Sequence, residues 1–110
     1  MAKDTREQII RSSGNVFADL GLPDAAELDT KVRLGAALSR IVERKGLTQA
    51  EVATALGIGQ PKVSALLNYK LEGFSVERLM HFLVALGQDV EIVVKSKPSS
   101  RSARIAVKAA

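Results

Sequence analysis

With 110 residues, 46% of them hydrophobic, the chain can bury one domain-sized core and has no room for a second. It contains no cysteine and one histidine, which excludes a disulfide framework, a thiolate zinc site and a metal centre built from histidines. The net charge of +4 invites a polyanionic partner, but residues 95–110 hold five basic residues and no acid, whereas residues 24–94 hold eight basic against nine acidic, so bulk basicity does not argue that the folded part binds nucleic acid.

No apolar run approaches the roughly 20 residues of a membrane span, and the N-terminus has no apolar leader core. Cytoplasmic residence without a membrane partner is therefore expected. Residues 1–23 read as a flexible arm, charged and sparse in apolar groups except for Val16, Phe17, Leu20 and Leu22. Asp24 as N-cap and Glu27 three residues on make a capping box. The spacing of Leu28, Val32, Leu34, Ala37, Leu38, Ile41 and Val42 predicts a helix over about 25–45, with Arg44 and Lys45 in its last turn and Gly46 as its stop.

Thr48 and Glu51 form a second capping box, ahead of a two-turn helix with Ala50, Val52, Ala53 and Leu56 apolar and Gly57 closing it. The turn Gly57-Ile58-Gly59 leads into a third helix from Gln60 to Asn68. Pro61 is tolerated there because first-turn amides have no intrahelical partner, and Val63, Leu66 and Leu67 face inward. Ser75 caps a fourth helix, with Val76, Leu79, Met80, Phe82, Leu83 and Leu86 apolar as far as Gly87. His81 has no second ligand or base beside it, so packing is expected of it rather than catalysis.

Residues 89–95 differ in kind: Val90, Ile92 and Val94 alternate in a β-branched segment, the pattern of a strand. Nothing else in the chain offers it a partner, so antiparallel pairing with the same strand of a second copy is expected, which makes a homodimer. Residues 96–110, with Pro98, Ser99 and Ser100 among scattered basic residues, read as a basic disordered tail. The expected fold class is all-α: a small bundle of four to five helices over 24–88 containing a helix-turn-helix, with one C-terminal strand. Two helices at this spacing could also be a plain αα-hairpin.

Leu47-Thr48-Gln49-Ala50-Glu51-Val52-Ala53, Leu56-Gly57-Ile58, and then Val63-Ser64 and Leu66, resemble the Cro/cI-like (XRE) helix-turn-helix family over about residues 28–87. More narrowly, the segments 14–22, Gln60-Pro61-Lys62-Val63-Ser64, Phe74-Ser75 and Val90-Glu91-Ile92-Val93-Val94 resemble HigA-type antitoxins. The family logic needs a small residue at Ala53, where the two helices cross, and a tight turn at Gly57. The resemblance implies that the start of the third helix enters the major groove of a palindromic operator in double-stranded DNA, placing Gln60, Pro61, Lys62, Ser64 and Ala65 toward base edges. Gln60 suits adenine, Lys62 suits guanine acceptors, and Pro61 or Ala65 suits a thymine methyl. Thr48 and Gln49 at a helix N-terminus, with Asn68, Tyr69 and Lys70 after the third helix, would contact phosphates.

Relatives often carry arginine or glycine where Asn68 and Tyr69 stand, so this clamp departs from the pattern. Taken one at a time, Gln60 and Lys62 could be ordinary solvated residues, and Tyr69 could be a packing residue whose hydroxyl reaches water. A repressor follows from the resemblance, and in its narrower form an antitoxin that represses its own operon and holds a RelE-like ribonuclease toxin through Val16, Phe17, Leu20 and Leu22. A stand-alone XRE-type regulator is the alternative, with those four residues docked on the domain. No catalytic residue, cofactor or metal is expected, since there is no base–nucleophile pair, phosphate loop or carboxylate cluster.

Overall fold

A computed structural model describes residues 25–109. Among these residues it contains four helices: α1 (Ala25–Lys45), α2 (Gln49–Leu56), α3 (Gln60–Leu67) and α4 (Val76–Ala85). Asp24, expected to cap α1, and the arm residues Val16, Phe17, Leu20 and Leu22 lie outside the described residues.

Residues 31–90 form one unit, and the remaining described residues, 25–30 and 91–109, belong to another. In the unit 31–90 the apolar periodicity becomes a core. Leu34, Ala37, Leu38, Ile41 and Val42 bury one stripe of α1, and α2 contributes Val52. Val63 and Leu66 come from α3, and Leu79, Phe82, Leu83 and Leu86 from the α4 region. α2 packs on α3 and more lightly on α4. Both capping expectations in this unit hold. The Glu51 N–H donates to Thr48 Oγ1 at 3.1 Å while Thr48 N–H donates to Glu51 Oε1 at 2.8 Å, and Arg78 N–H donates to Ser75 Oγ at 3.1 Å.

Each helix ends on the same closure, in which an amide reaches back five residues to an otherwise orphaned carbonyl: Leu47 to Val42 at 3.1 Å, Ile58 to Ala53 at 3.1 Å, Lys70 to Ala65 at 2.9 Å and Gln88 to Leu83 at 3.0 Å. The closure puts one residue in the left-handed region. Gly46, Gly57 and Gly87 take it after α1, α2 and α4, but after α3 it falls on Tyr69, at φ 60°. The ring of Tyr69 lies over Gly35 of α1, where a Cβ would sit 3.5 Å from Tyr69 Cδ1 and Cε1 and 3.6 Å from Leu71 Cδ1. At the other end of the unit, Lys45 Nζ donates to the Leu86 carbonyl at 2.7 Å, which ties the end of α1 to the end of α4.

Several core assignments differ from the periodicity. Leu71 and Phe74, in the α3–α4 connection, are buried. Phe74 meets Phe82 edge to face at 5.8 Å, and the Arg78 guanidinium lies 5.7 and 5.4 Å from the two ring centres. Ala50 is exposed, because a two-turn helix has only a narrow inward stripe and Val52 fills it. Met80 is half-buried. His81 is exposed, with Nε2 3.7 Å from Glu77 Oε1 one turn earlier. It stands on the solvent side of α4, so the packing expected of it is corrected.

The strand expected over 89–95 is likewise not formed within the chain. Among the described residues there is no strand, and residues 88–98 have no regular structure. Val90, Ile92 and Val94 are 36%, 75% and 92% exposed. A strand is defined by a hydrogen-bonded ladder, and no second β-segment among the described residues supplies one. In the other unit, Ala25 is buried with Leu28 packed against it. Asp29 and Thr30 are buried as well, and Thr30 Oγ1 donates to the Ala26 carbonyl at 2.9 Å. Of residues 91–109, only Arg101 and Val107 are half-buried, and the rest are exposed.

Candidate nucleic-acid interface

The geometry of the interface begins at Gly57. Its φ of 70° closes α2 without the steric penalty that a side chain would bring, and two residues later Gly59, extended at φ −74° and ψ 155°, opens α3. The resulting pair of helices, joined by residues 57–59, turns the start of α3 into solvent. Gln60, Pro61 and Lys62 are exposed, Ser64 and Ala65 are half-buried, and Val63 and Leu66 anchor the opposite side of the helix in the core.

Electrostatically, this end of α3 suits an anion. Its first turn carries no acid, the helix dipole presents positive charge there, and Lys62 adds a full charge. At the N-terminus of α2 the capping box occupies the amides of Thr48 and Glu51, which leaves those of Gln49 and Ala50 without intrahelical acceptors. The Thr48 hydroxyl, already accepting from Glu51, keeps its proton for a further acceptor.

All ten residues singled out for DNA contact lie in the unit 31–90. Eight are exposed, and Ser64 and Ala65 are half-buried. Two of them differ from a plain phosphate clamp. Asn68 Nδ2 donates to the Ser64 carbonyl at 2.8 Å and lies 3.4 Å from Ser64 Oγ, so its side chain is turned back onto α3. Tyr69, 43% exposed, packs its ring against α1 and leaves the rest to solvent. The ring contact fits the packing reading of this residue. Lys70 is exposed. The Thr48–Glu51 capping box was expected from the sequence, whereas the left-handed backbone at Tyr69 was not. The second had a signal, a three-residue break between the last apolar residue of α3 and Leu71.

Among the described residues, no group of histidine, cysteine, aspartate or glutamate could hold a metal ion, and no helix is long and apolar enough to cross a membrane. The arrangement is that of a helix-turn-helix, two short helices crossing at a glycine turn with the second helix offered to a groove.

Comparison with known proteins places this class more closely. A helix-turn-helix domain family matches residues 16–95. A solved structure assigned by name to the XRE family of transcriptional regulators is similar at 64% identity and a TM-score of 0.76, over 80% of this chain and 100% of that one. No curated protein matches. The chain belongs to the helix-turn-helix family and is a DNA-binding transcriptional regulator of the XRE type.

Proposed function

We propose that the chain is a sequence-specific repressor that reads a palindromic operator as a homodimer, with the start of α3 in the major groove. The observation that carries this reading is the exposed, acid-free first turn of α3, held outward by a capped α2 and the left-handed turn at Gly57. In this reading Gln60 pairs with an adenine and Lys62 reaches guanine acceptors, while Pro61 and Ala65 touch a thymine methyl beside Ser64. Thr48 and Gln49 hold one phosphate, and Tyr69 and Lys70 hold another. Asn68 contributes least, because its amide is already bonded to Ser64. The exposed row Val90, Ile92 and Val94 pairs with its two-fold mate. That the family match runs to residue 95 supports counting this segment with the domain.

The role within an operon has two forms. As an antitoxin, the chain would repress its own promoter and hold a RelE-like toxin through Val16, Phe17, Leu20 and Leu22. As a stand-alone regulator, it would dock those residues on its own domain. The family match starts at residue 16 and so takes in all four residues, which is compatible with either form. Co-purification with the product of the adjacent gene separates the two.

The repressor reading is tested by mobility shifts on the protein's own promoter against random duplex. Gln60→Ala is expected to cost about 1–3 kcal/mol of specific binding and to relax one base pair per half-site, with random-sequence affinity unchanged. Equal loss on both duplexes removes Gln60 from base reading, and absence of any promoter preference in the wild type overturns the repressor.

A further inference from the structure

The basic residues of the C-terminal segment have a spacing that the fold leaves unused. Lys97, Arg101, Arg104 and Lys108 follow at intervals of four, three and four residues, and on an α-helix the last three would fall within an arc of about 60°. We propose that residues 99–109 fold on duplex DNA into a helix whose cationic stripe, Arg101, Arg104 and Lys108, lies along the phosphates, with Lys97 reaching a phosphate ahead of its first turn. The inference rests on the DNA-binding reading above.

Three observations carry it. Residues 95–110 hold five of the sixteen basic residues and none of the twelve acidic ones, so the rest of the chain has eleven basic against twelve acidic. The tail therefore concentrates cations that can add counterion release to whatever phosphate contacts the folded part makes. Among the described residues, no tail cation is paired with a carboxylate: Lys97 Nζ lies 3.4 Å from the Pro98 carbonyl and Arg101 Nη1 lies 3.0 Å from that of Ser102. The segment is without helix, and the stripe itself supplies a reason. Arg101 with Arg104, and Arg104 with Lys108, are like charges one turn apart, which destabilise a helix that is too short to persist alone. Phosphates along the stripe remove that repulsion.

The test uses the full chain and a short random-sequence duplex, with affinity followed between about 50 and 200 mM salt. Changing Lys97→Gln, Arg101→Gln, Arg104→Gln and Lys108→Gln together should lower the salt slope by about 3.6, so that the wild type loses about a hundredfold more affinity over that range. Exchanging one register position, Arg104→Ile with Ile105→Arg, keeps the charge but should lower the slope by about 1. In isotopically labelled protein, Cα shifts of residues 99–109 should turn helical on adding DNA, and Ala103→Pro should abolish that change. An unchanged slope in the quadruple variant overturns the proposal, as does a lowered slope without helical shifts, which would mean an extended tail. Tail-dependent binding to phosphatidylserine vesicles with an unchanged DNA slope would assign the stripe to a membrane and overturn it too. A wild type that retains promoter preference in any of these outcomes leaves the repressor reading standing, whereas one that binds no duplex overturns both.

Discussion

Tyr69 sets two effects of similar size against each other, and their difference can be measured. Its φ of 60° costs a side-chain-bearing residue about 1–2 kcal/mol relative to glycine, which makes Tyr69→Gly favourable on backbone grounds. Against that stands the ring, which covers Gly35 and is a little over half withdrawn from water at 43% exposure. An enclosed aromatic side chain buries about 150–250 Å², so about 100 Å² is at stake here. At about 25 cal/mol per Å² that is an upper bound of about 2.5 kcal/mol. The ring wins by a narrow margin, and Tyr69→Gly should be destabilised by about 1 kcal/mol, a fall of about 4–8 °C in melting temperature for a domain of this size. Thermal and urea melts of the full chain read this directly. Tyr69→Phe keeps ring and backbone alike and should melt with the wild type, while losing DNA affinity if the hydroxyl touches phosphate. A Tyr69→Gly protein more stable than the wild type would refute the reasoning, since the ring over Gly35 would then contribute less than the strain it imposes.

The helix α1 offers the complementary change: Gly35→Ala should stabilise the protein by about 0.5–1 kcal/mol, because the added methyl meets Tyr69 and Leu71 at ordinary contact distance and removes a mid-helix glycine. A drop in melting temperature instead would show that the ring cannot yield. Lys70→Ala should weaken binding to operator and random duplex alike and lower the salt slope by about 1, and an unchanged slope would move it off the phosphates. Ile92→Pro removes a ladder donor outside the helices, so sedimentation should find monomers of native helicity that bind operator poorly. A dimer that survives this change would put the contact on the helices.

Helix placement was legible because each start and stop in the unit 31–90 has a local chemical cause. Thr48 with Glu51, and Ser75, open their helices through side-chain oxygens three residues from the amides they satisfy. The exposed DNA-contact candidates on α3 were legible for a related reason. Once Val63 and Leu66 are assigned inward, helical geometry leaves Pro61 and Ser64 on other sides, while Gln60, one turn before Val63, is exposed because it opens the helix. Leu71 and Phe74 escaped because they sit in a connection, where no period links a residue to its depth, and their burial depends on α1 and α4 closing over them. Tyr69 escaped because left-handed backbone is read from glycine or asparagine, and here the Lys70 to Ala65 closure imposes it on a residue with a bulky ring.

Residues 89–109 mark where a single chain stops determining its own structure, and two different physical reasons are involved. For Val90, Ile92 and Val94 the alternation specifies which faces are apolar, but a ladder also needs the backbone of a second strand, and none is present among the described residues. For Arg101, Arg104 and Lys108 the period specifies a helix while the charges on that same period oppose it. The first segment lacks a hydrogen-bonding partner and the second lacks a counter-charge. A second copy of the chain would supply the one and a duplex would supply the other. If both reasons hold, order in the two segments should arrive separately: the strand would depend on protein concentration and be insensitive to salt, whereas the tail would be sensitive to salt and independent of concentration once DNA is bound.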